Sequence, residues 1–256
     1  MYVSIFDREY FTEEVPSLLI MGTARNIEPY INQLKQSLTN IIDAVPDYNL
    51  VIVESNSSDT SLSLLQQWCH LDNRRHCIGL GQLTEPVRTK RIAHCRNAYM
   101  TYANQHGLFK KHDYTLLIDL DDVLQIESNF KHQLHSCFQI KEWDVIASNR
   151  RAKYYDIWAL RSKELGITFD CWKMVDTHQM TIQDAVSRFQ KVIPTDHPWI
   201  KVESAFGGMV LCKSASIQYR QYNGDNGCEH VPFFEGLVMY INPNFISGSN
   251  SVHEAL

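Results

Sequence analysis

The chain has 256 residues, 44% of them hydrophobic, and a formal net charge of -5. That is enough apolar material for a sizeable core. The acidic balance weighs against a nucleic-acid binder, whose surface is normally basic, but leaves room for a local arginine cluster that holds an anionic nucleotide. Seven scattered cysteines without a CxxC pattern argue against a disulfide framework or a zinc site, and reduced thiols used as small apolar residues are expected. No apolar stretch approaches the ~18 residues of a membrane span, and Met1 does not open a basic segment followed by an apolar one. A cytoplasmic location without an integral membrane segment is therefore expected, for the chain alone or as a domain of a larger protein.

In chain order, the first 16 residues read as a leader ending at Pro16, followed by a buried strand, Ser17–Met21, stopped by Gly22. From Ile27 to Val45 the apolar residues follow helical spacing, with Asn26 as N-cap, Pro29 in the first turn and Pro46 as the stop. Leu50–Val53 is a second buried strand; Ser58 or Asp59 caps a helix bearing Leu62, Leu65 and Trp68. A third strand is predicted at His76–Leu80, a helix through Ile92, Cys95, Tyr99 and Tyr102, and a fourth strand at Tyr114–Ile118. The second half is less regular. It carries helices around Phe130–Cys137 and Ile182–Phe189, and strands at Val145–Ala147, Tyr154–Leu160, Met209–Cys212 and Val238–Ile241.

Alternating uninterrupted apolar strands and helices predict a single α/β domain with a mostly parallel sheet covered on both faces. Ligands of such sheets bind at the carboxyl ends of the strands. Three polar clusters fall there: Thr23–Asn26, Glu54–Asp59 and Asp119–Asp122. Asp119-Leu120-Asp121-Asp122 follows its strand directly, and carboxylates crowded at a strand end are costly without a cation. Hard divalent ions prefer such oxygens and retain phosphates as further ligands.

The stretch YTLLIDLDDVL resembles the DxD region of GT-A glycosyltransferases. The resemblance implies a Rossmann-like GT-A sandwich, Mn2+ or Mg2+, and a UDP- or GDP-linked sugar as donor. It gives Asp119 a donor contact, Asp121 the metal with Asp119 beside it, and leaves Asp122 open. LLIMGTARN resembles the first strand and base-binding loop, placing Thr23, Ala24 and Arg25 at the nucleotide. VIVESNSSDTS resembles the second strand with its acidic nucleotide contact, here Glu54 or Asn56, although the usual pattern Asp-Asp-Gly-Ser-x-Asp is not kept. RIAHCRNAYM resembles the helix before the DxD strand, with Arg91 and Arg96 as phosphate or base contacts. Residues 17–122 would form the nucleotide-sugar half and 123–256 the acceptor half.

On the acceptor side, ESAFGGMVLCKSAS implies close approach of Gly207 and Gly208 to the sugar. GDNGCEHVPFFEGL implies a late acidic motif and short helix, with Glu229 as catalytic base in an inverting reaction and His230, or else His253, completing the metal site. SNRRAKYYDIWALR, FGGMVL and CEHVPF together resemble the cryptococcal capsule-associated mannosyltransferase group and related viral and microbial enzymes, in which Asp156 and Trp158 would contact a sugar. The expected reaction is transfer of the sugar to a hydroxyl of a carbohydrate or glycoconjugate acceptor.

Three other readings compete. LLIDLDDVL also resembles the nucleophile motif of haloacid-dehalogenase-type phosphatases, with Asp119 as nucleophile, Asp121 as acid/base and Ser148 in a second motif. That family usually opens with the motif, whereas here three strand–helix units precede it. A sugar-nucleotide pyrophosphorylase expects a Gly-rich basic loop where GTARN has one glycine. A non-catalytic sugar-nucleotide-binding module would share the fold alone.

Overall fold

The computed structural model describes residues 15–140 and 142–248. Eight strands form one sheet in the order β3-β2-β1-β4-β7-β5-β8-β6. They are β1 (Leu18–Ala24), β2 (Tyr48–Glu54), β3 (Arg75–Gly79), β4 (Tyr114–Leu120), β5 (Val145–Arg150), β6 (Ile200–Val202), β7 (Met209–Lys213) and β8 (Met239–Gly248). β1, β2, β3, β4, β5 and β8 run one way; β7 is inserted antiparallel between β4 and β5, and β6 is antiparallel to β8 at the edge.

The core lies on both faces of this sheet. Leu19, Met21, Val51, Val53 and Leu117 point to one face, where α3 (Arg88–Gln105) presents Ala93, Tyr99 and Met100. Leu18, Ile20, Leu50, Ile52 and Leu116 point to the other, against Leu34, Leu38 and Ile41 of α1 (Ile31–Ile42) and Leu65 and Trp68 of α2 (Ser61–Cys69). Strands buried on both faces have no polar face to show, which is why they read as continuous apolar runs. A short α4 (Leu108–Lys111) leads into β4, and α5 (Phe130–Ser136) packs beside α1 and β8.

The register positions the site. Ala24 pairs with Glu54 and with Leu120, and Thr23 with Asp119, so the ends of β1, β2 and β4 are level. Met209 pairs with Ile118, and the amide of Asp119 donates to the Gly208 carbonyl at 3.0 Å, so the turn before β7 lies at the same edge.

The structure departs from the sequence reading at several places. The first helix opens as a 3-10 turn, Glu28–Tyr30, before α1. Asn26 is not its cap: it has φ 50° and its side-chain oxygen accepts from the Ser58 amide at 2.9 Å. Thr60, not Ser58 or Asp59, is the N-cap of α2, although the Asp59 carboxylate accepts from Ser61 N in the first turn. Residues 154–160 are a loop rather than a strand, because the Asp156 carboxylate accepts from Ala159 N and Gly207 N and folds the chain back on itself. The helix expected at 182–189 breaks at Val186 (φ -125°, ψ -68°) into α7 (Ile182–Ala185) and a 3-10 turn. The edge strand β6, α6 (Cys171–Asp176) and α8 (Ser214–Ile217) lack a periodic signal of useful length. The short helix implied by the late motif is present as α9 (His230–Phe234). No described helix is long and apolar enough to cross a membrane.

His112, between α4 and β4, is fully buried, with Nδ1 3.0 Å from Ser17 Oγ and Nε2 2.9 Å from Asn49 Oδ1. Burial and then the nearby Lys111 charge push its pKa below the ordinary 6.5. The unfolded chain therefore binds this proton first, and the contribution of neutral His112, complete above the unfolded value, is lost as pH falls through it. Urea unfolding should show stability falling from pH 7.5 to 5.5, with a shallower slope in His112→Gln; an unchanged slope would contradict this assignment.

Candidate functional site

A cleft of about 540 Å³ opens at the aligned strand ends. At its base lies Arg96, which α3 carries into the interior with a side chain only 3% exposed. Its Nη2 donates to Asp119 Oδ1 at 2.7 Å and its Nε to Glu229 Oε1 at 3.1 Å. The guanidinium stands 5.1 Å from the Phe206 ring centre and 5.5 Å from that of Tyr222. Burial opposes the charge, but Asp119, Tyr99 and Glu229 hold the arginine firmly protonated. Residues 96, 119 and 229, scattered in sequence, are thus joined in one ion-paired group.

Asp121 has a different environment. Its Oδ1 accepts from Val123 N at 3.0 Å. Burial, then the neighbouring Asp119 charge, raise its pKa to about 7 despite the opposing charge of Arg150. Like-charged carboxylates with too little compensation suit a hard divalent cation whose remaining positions go to phosphate and water. Asp119 and Asp121 fit that role. Among the described residues no three His, Cys, Asp or Glu side chains group as a metal cage, so the expected set Asp119, Asp121 and His230 is not assembled. The reason is visible at His230. Its ring lies nearly parallel to Phe206, 4.0 Å away, and to Phe234 at 5.6 Å, and its Nε2 is 3.7 Å from Glu229 Oε1. Burial, reinforced by Arg96, drives its pKa well below 6.5 and keeps the ring neutral. His253 lies outside the described residues.

At the ends of β1 and β2, Thr23, Ala24, Arg25 and Asn56 line the cleft. Arg25 Nε donates to the Asn56 carbonyl at 3.2 Å. Asn56 adopts φ 58°, and its amide binds Gln82 and Leu83, so its side chain ties the wall together. Glu54 does not line the cleft: it is buried and accepts from Ser57 N at 3.1 Å, closing the turn after β2. Arg91 lines the cleft with its Nη1 on the carbonyls of Glu85 and Pro86. Arg88, not anticipated from sequence, lines it too, 5.8 Å from the Trp158 ring centre. Its signal was present: positions 88, 91, 92, 95 and 96 recur at helical spacing on the face of α3 that meets the cleft.

Tyr155, Asp156, Trp158 and Trp172 also line the cleft. Asp156 is fixed by two backbone donors, Ala159 N and Gly207 N, while burial raises its pKa to about 6. Trp158 Nε1 donates to Asp170 Oδ2 at 3.0 Å. Gly207 and Gly208 do not line the cleft, contrary to the expected sugar contact. Gly207 has φ +68°, and a Cβ there would lie 2.6 Å from the Ser148 carbonyl; the space beside Gly208 is taken by Tyr155 and Val123. Both glycines brace the site from behind. Ser148 is fully buried and donates to the Gly207 carbonyl at 2.9 Å, so it has no access to a phosphate and the phosphatase reading loses its second motif.

No protein-family model matches the chain, and no curated protein matches it in sequence. Solved structures do resemble it. The mannosyltransferase PcManGT from Pyrobaculum calidifontis, in complex with GDP-Man and Mn2+, is 11% identical, with 93% of this chain and 59% of that one covered at a TM-score of 0.50. S. aureus TarS 1-349 in complex with UDP-GlcNAc is 11% identical, with 93% and 60% covered and a TM-score of 0.52. The chain therefore spans about three fifths of the length of these structures. The likeness establishes the fold: a mostly parallel, helix-flanked sheet of the GT-A type seen in nucleotide-sugar glycosyltransferases.

Arg96→Met would strand two carboxylates beside a cleft. It should destabilise the protein by about 3–5 kcal/mol, the usual result of removing one partner from a buried ion pair, with Arg96→Lys intermediate. Chemical denaturation measures this, and wild-type stability in Arg96→Met would contradict the described role. Gly207→Ala should lower the thermal midpoint more than Gly208→Ala, because only the former meets a backbone carbonyl below 3.0 Å.

Proposed function

We propose that the protein is a metal-dependent glycosyltransferase that moves a sugar from a UDP- or GDP-linked donor to a hydroxyl of a carbohydrate or glycoconjugate acceptor. The observation that carries this reading is the meeting, in one cleft at the strand ends of a GT-A sheet, of Asp121 with Asp119 and Glu229, the last two paired to the buried Arg96. The bound nucleotides named for the similar structures, GDP-Man with Mn2+ and UDP-GlcNAc, support both donor classes.

Asp121, with Asp119, would hold Mn2+ or Mg2+, the Asp119 oxygen not taken by Arg96 being the natural donor. When bound, such an ion neutralises charge on the departing diphosphate. Arg88 and Arg91 add positive charge to the same wall. Thr23, Ala24 and Arg25 border the nucleotide, with Asn56 setting the shape of the wall.

Glu229 is the base. Arg96 orients its Oε1, so that in an inverting transfer the carboxylate accepts the acceptor hydroxyl proton as that oxygen attacks the anomeric carbon. Asp156 and the indole of Trp158 offer a hydrogen-bonding edge and an apolar face, a pairing suited to a sugar ring. His230 shapes the floor and is given no ligand role.

Release of nucleoside diphosphate from a panel of UDP- and GDP-sugars with Mn2+ tests the reading. One donor class should be turned over. Asp121→Asn and Glu229→Gln should each lower the rate by about 100-fold or more, as expected for loss of charge stabilisation or of a general base. Glu229→Gln should keep donor affinity. Weak donor binding with unchanged turnover of the bound donor in Glu229→Gln would overturn its role, and phosphate release from simple phosphomonoesters in place of donor turnover would overturn the whole reading.

A further inference from the structure

We propose that Asp170 is a positioning residue, which sets the indole of Trp158 as the ring on which a sugar of the acceptor stacks. The assignment rests on the glycosyltransferase reading only in calling that sugar the acceptor. Trp158 belongs to the loop of residues 154–160, is half-buried and lines the cleft. A half-exposed indole on a loop has several rotamers open to it, so a single orientation needs anchors. Three contacts supply them. Trp158 Nε1 donates to Asp170 Oδ2 at 3.0 Å, Arg161 Nη1 donates to the Trp158 carbonyl at 3.0 Å, and Arg161 Nη2 stands 3.5 Å from the same Asp170 Oδ2. Indole, carboxylate and guanidinium thus close a ring of contacts, and the Asp170 and Arg161 side chains are only 13% and 14% exposed, so water screens their pairing little.

The carboxylate is itself held by its other oxygen. Asp170 Oδ1 accepts from Lys173 N at 3.0 Å and caps α6, the helix that brings Trp172 to the cleft. Gly227 makes room for it: the residue has φ +101°, and a Cβ there would collide with Asp170 Oδ2. Gly227 stands just before Cys228 and Glu229, so Asp170 lies between the indole and the loop that carries the proposed base. The electron-rich face of an indole suits the polarised C–H groups of a sugar ring. Arg88, with its guanidinium 5.8 Å from the Trp158 ring centre, and Asp156, in the same loop, offer polar groups for the hydroxyls at the ring's margin. An indole released from Asp170 would no longer present that face in one fixed plane.

The test is a titration of isotope-labelled protein with a panel of methyl glycosides and disaccharides, followed on the indole N–H resonances; that of Trp158 is identified by its loss in Trp158→Phe. At least one saccharide should move the Trp158 resonance of the wild-type protein and bind about tenfold more weakly to Asp170→Ala, the usual effect of losing a hydrogen bond to a charged group. Asp170→Asn separates positioning from capping. Its single side-chain oxygen is drawn to the side where both Trp158 and Arg161 donate, so it gives up the α6 cap and keeps the indole in place; binding should return to within about threefold of wild type. Equal weakening in Asp170→Ala and Asp170→Asn would assign the effect to the helix cap and overturn the proposal, as would a wild-type Trp158 resonance that no saccharide moves. If Asp170→Ala does not fold, Gly227→Ala, which presses on the same oxygen, must show the weakening, and wild-type affinity there would overturn the proposal. Donor turnover with Mn2+ on the wild-type sample keeps the two readings apart. Turnover without saccharide binding at Trp158 overturns this assignment alone; saccharide binding without turnover of any donor overturns the glycosyltransferase reading and leaves Asp170 as the residue that orders a sugar-binding surface.

Discussion

The site depends on the two-armed pairing of Arg96. Removing a guanidinium from water is costly, and a buried charge persists only where its partners are well placed. Here each partner comes from a different part of the chain: Asp119 from the end of β4 and Glu229 from the residue before α9. Phe206 and Tyr222 flank the cation, and Tyr99 OH lies 3.4 Å from its Nη1. The pairing therefore fixes the distance between the strand-end carboxylates and the candidate base. It also leaves Asp121, buried and crowded by the charges of Asp119 and Asp122, as the carboxylate with the most to gain from an added cation.

The rest of the sheet serves this junction. Level ends of β1, β2 and β4 bring three polar clusters to one edge. The antiparallel insertion of β7 delivers the Gly207-Gly208 turn to the same edge, where Gly208 accepts from the Asp119 amide and Gly207 donates to Asp156. Positive φ at both positions lets that turn pass between β5 and the acidic loop, a path a Cβ at Gly207 would block at the Ser148 carbonyl.

Much of this was legible in the sequence. The buried strands of the first half were visible because parallel strands covered on both faces cannot alternate. The place of Asp119 and Asp121 in the cleft was visible because residues directly after such a strand fall at the edge where the strand ends meet. What failed were roles decided by side-chain direction across long sequence separations. Glu54 turned inward to cap its own loop, Gly207 and Gly208 faced the protein rather than the cleft, and the Tyr154–Leu160 stretch bent around Asp156 instead of extending. Arg96 appeared in sequence only as one of two helix arginines. Its pairing with Glu229, 133 positions away, is a tertiary fact without a local pattern.

The central claim is that Asp121 and its neighbours bind a nucleoside diphosphate through a divalent ion. Calorimetric titration of UDP and GDP into the protein, with and without Mn2+, tests it most directly. The account predicts that one of the two binds at least about tenfold more tightly with Mn2+, roughly 1.4 kcal/mol, and that Asp121→Asn removes this gain while leaving the fold intact by circular dichroism. Binding that is equally tight without the metal, or a metal-dependent gain that survives Asp121→Asn, would contradict it.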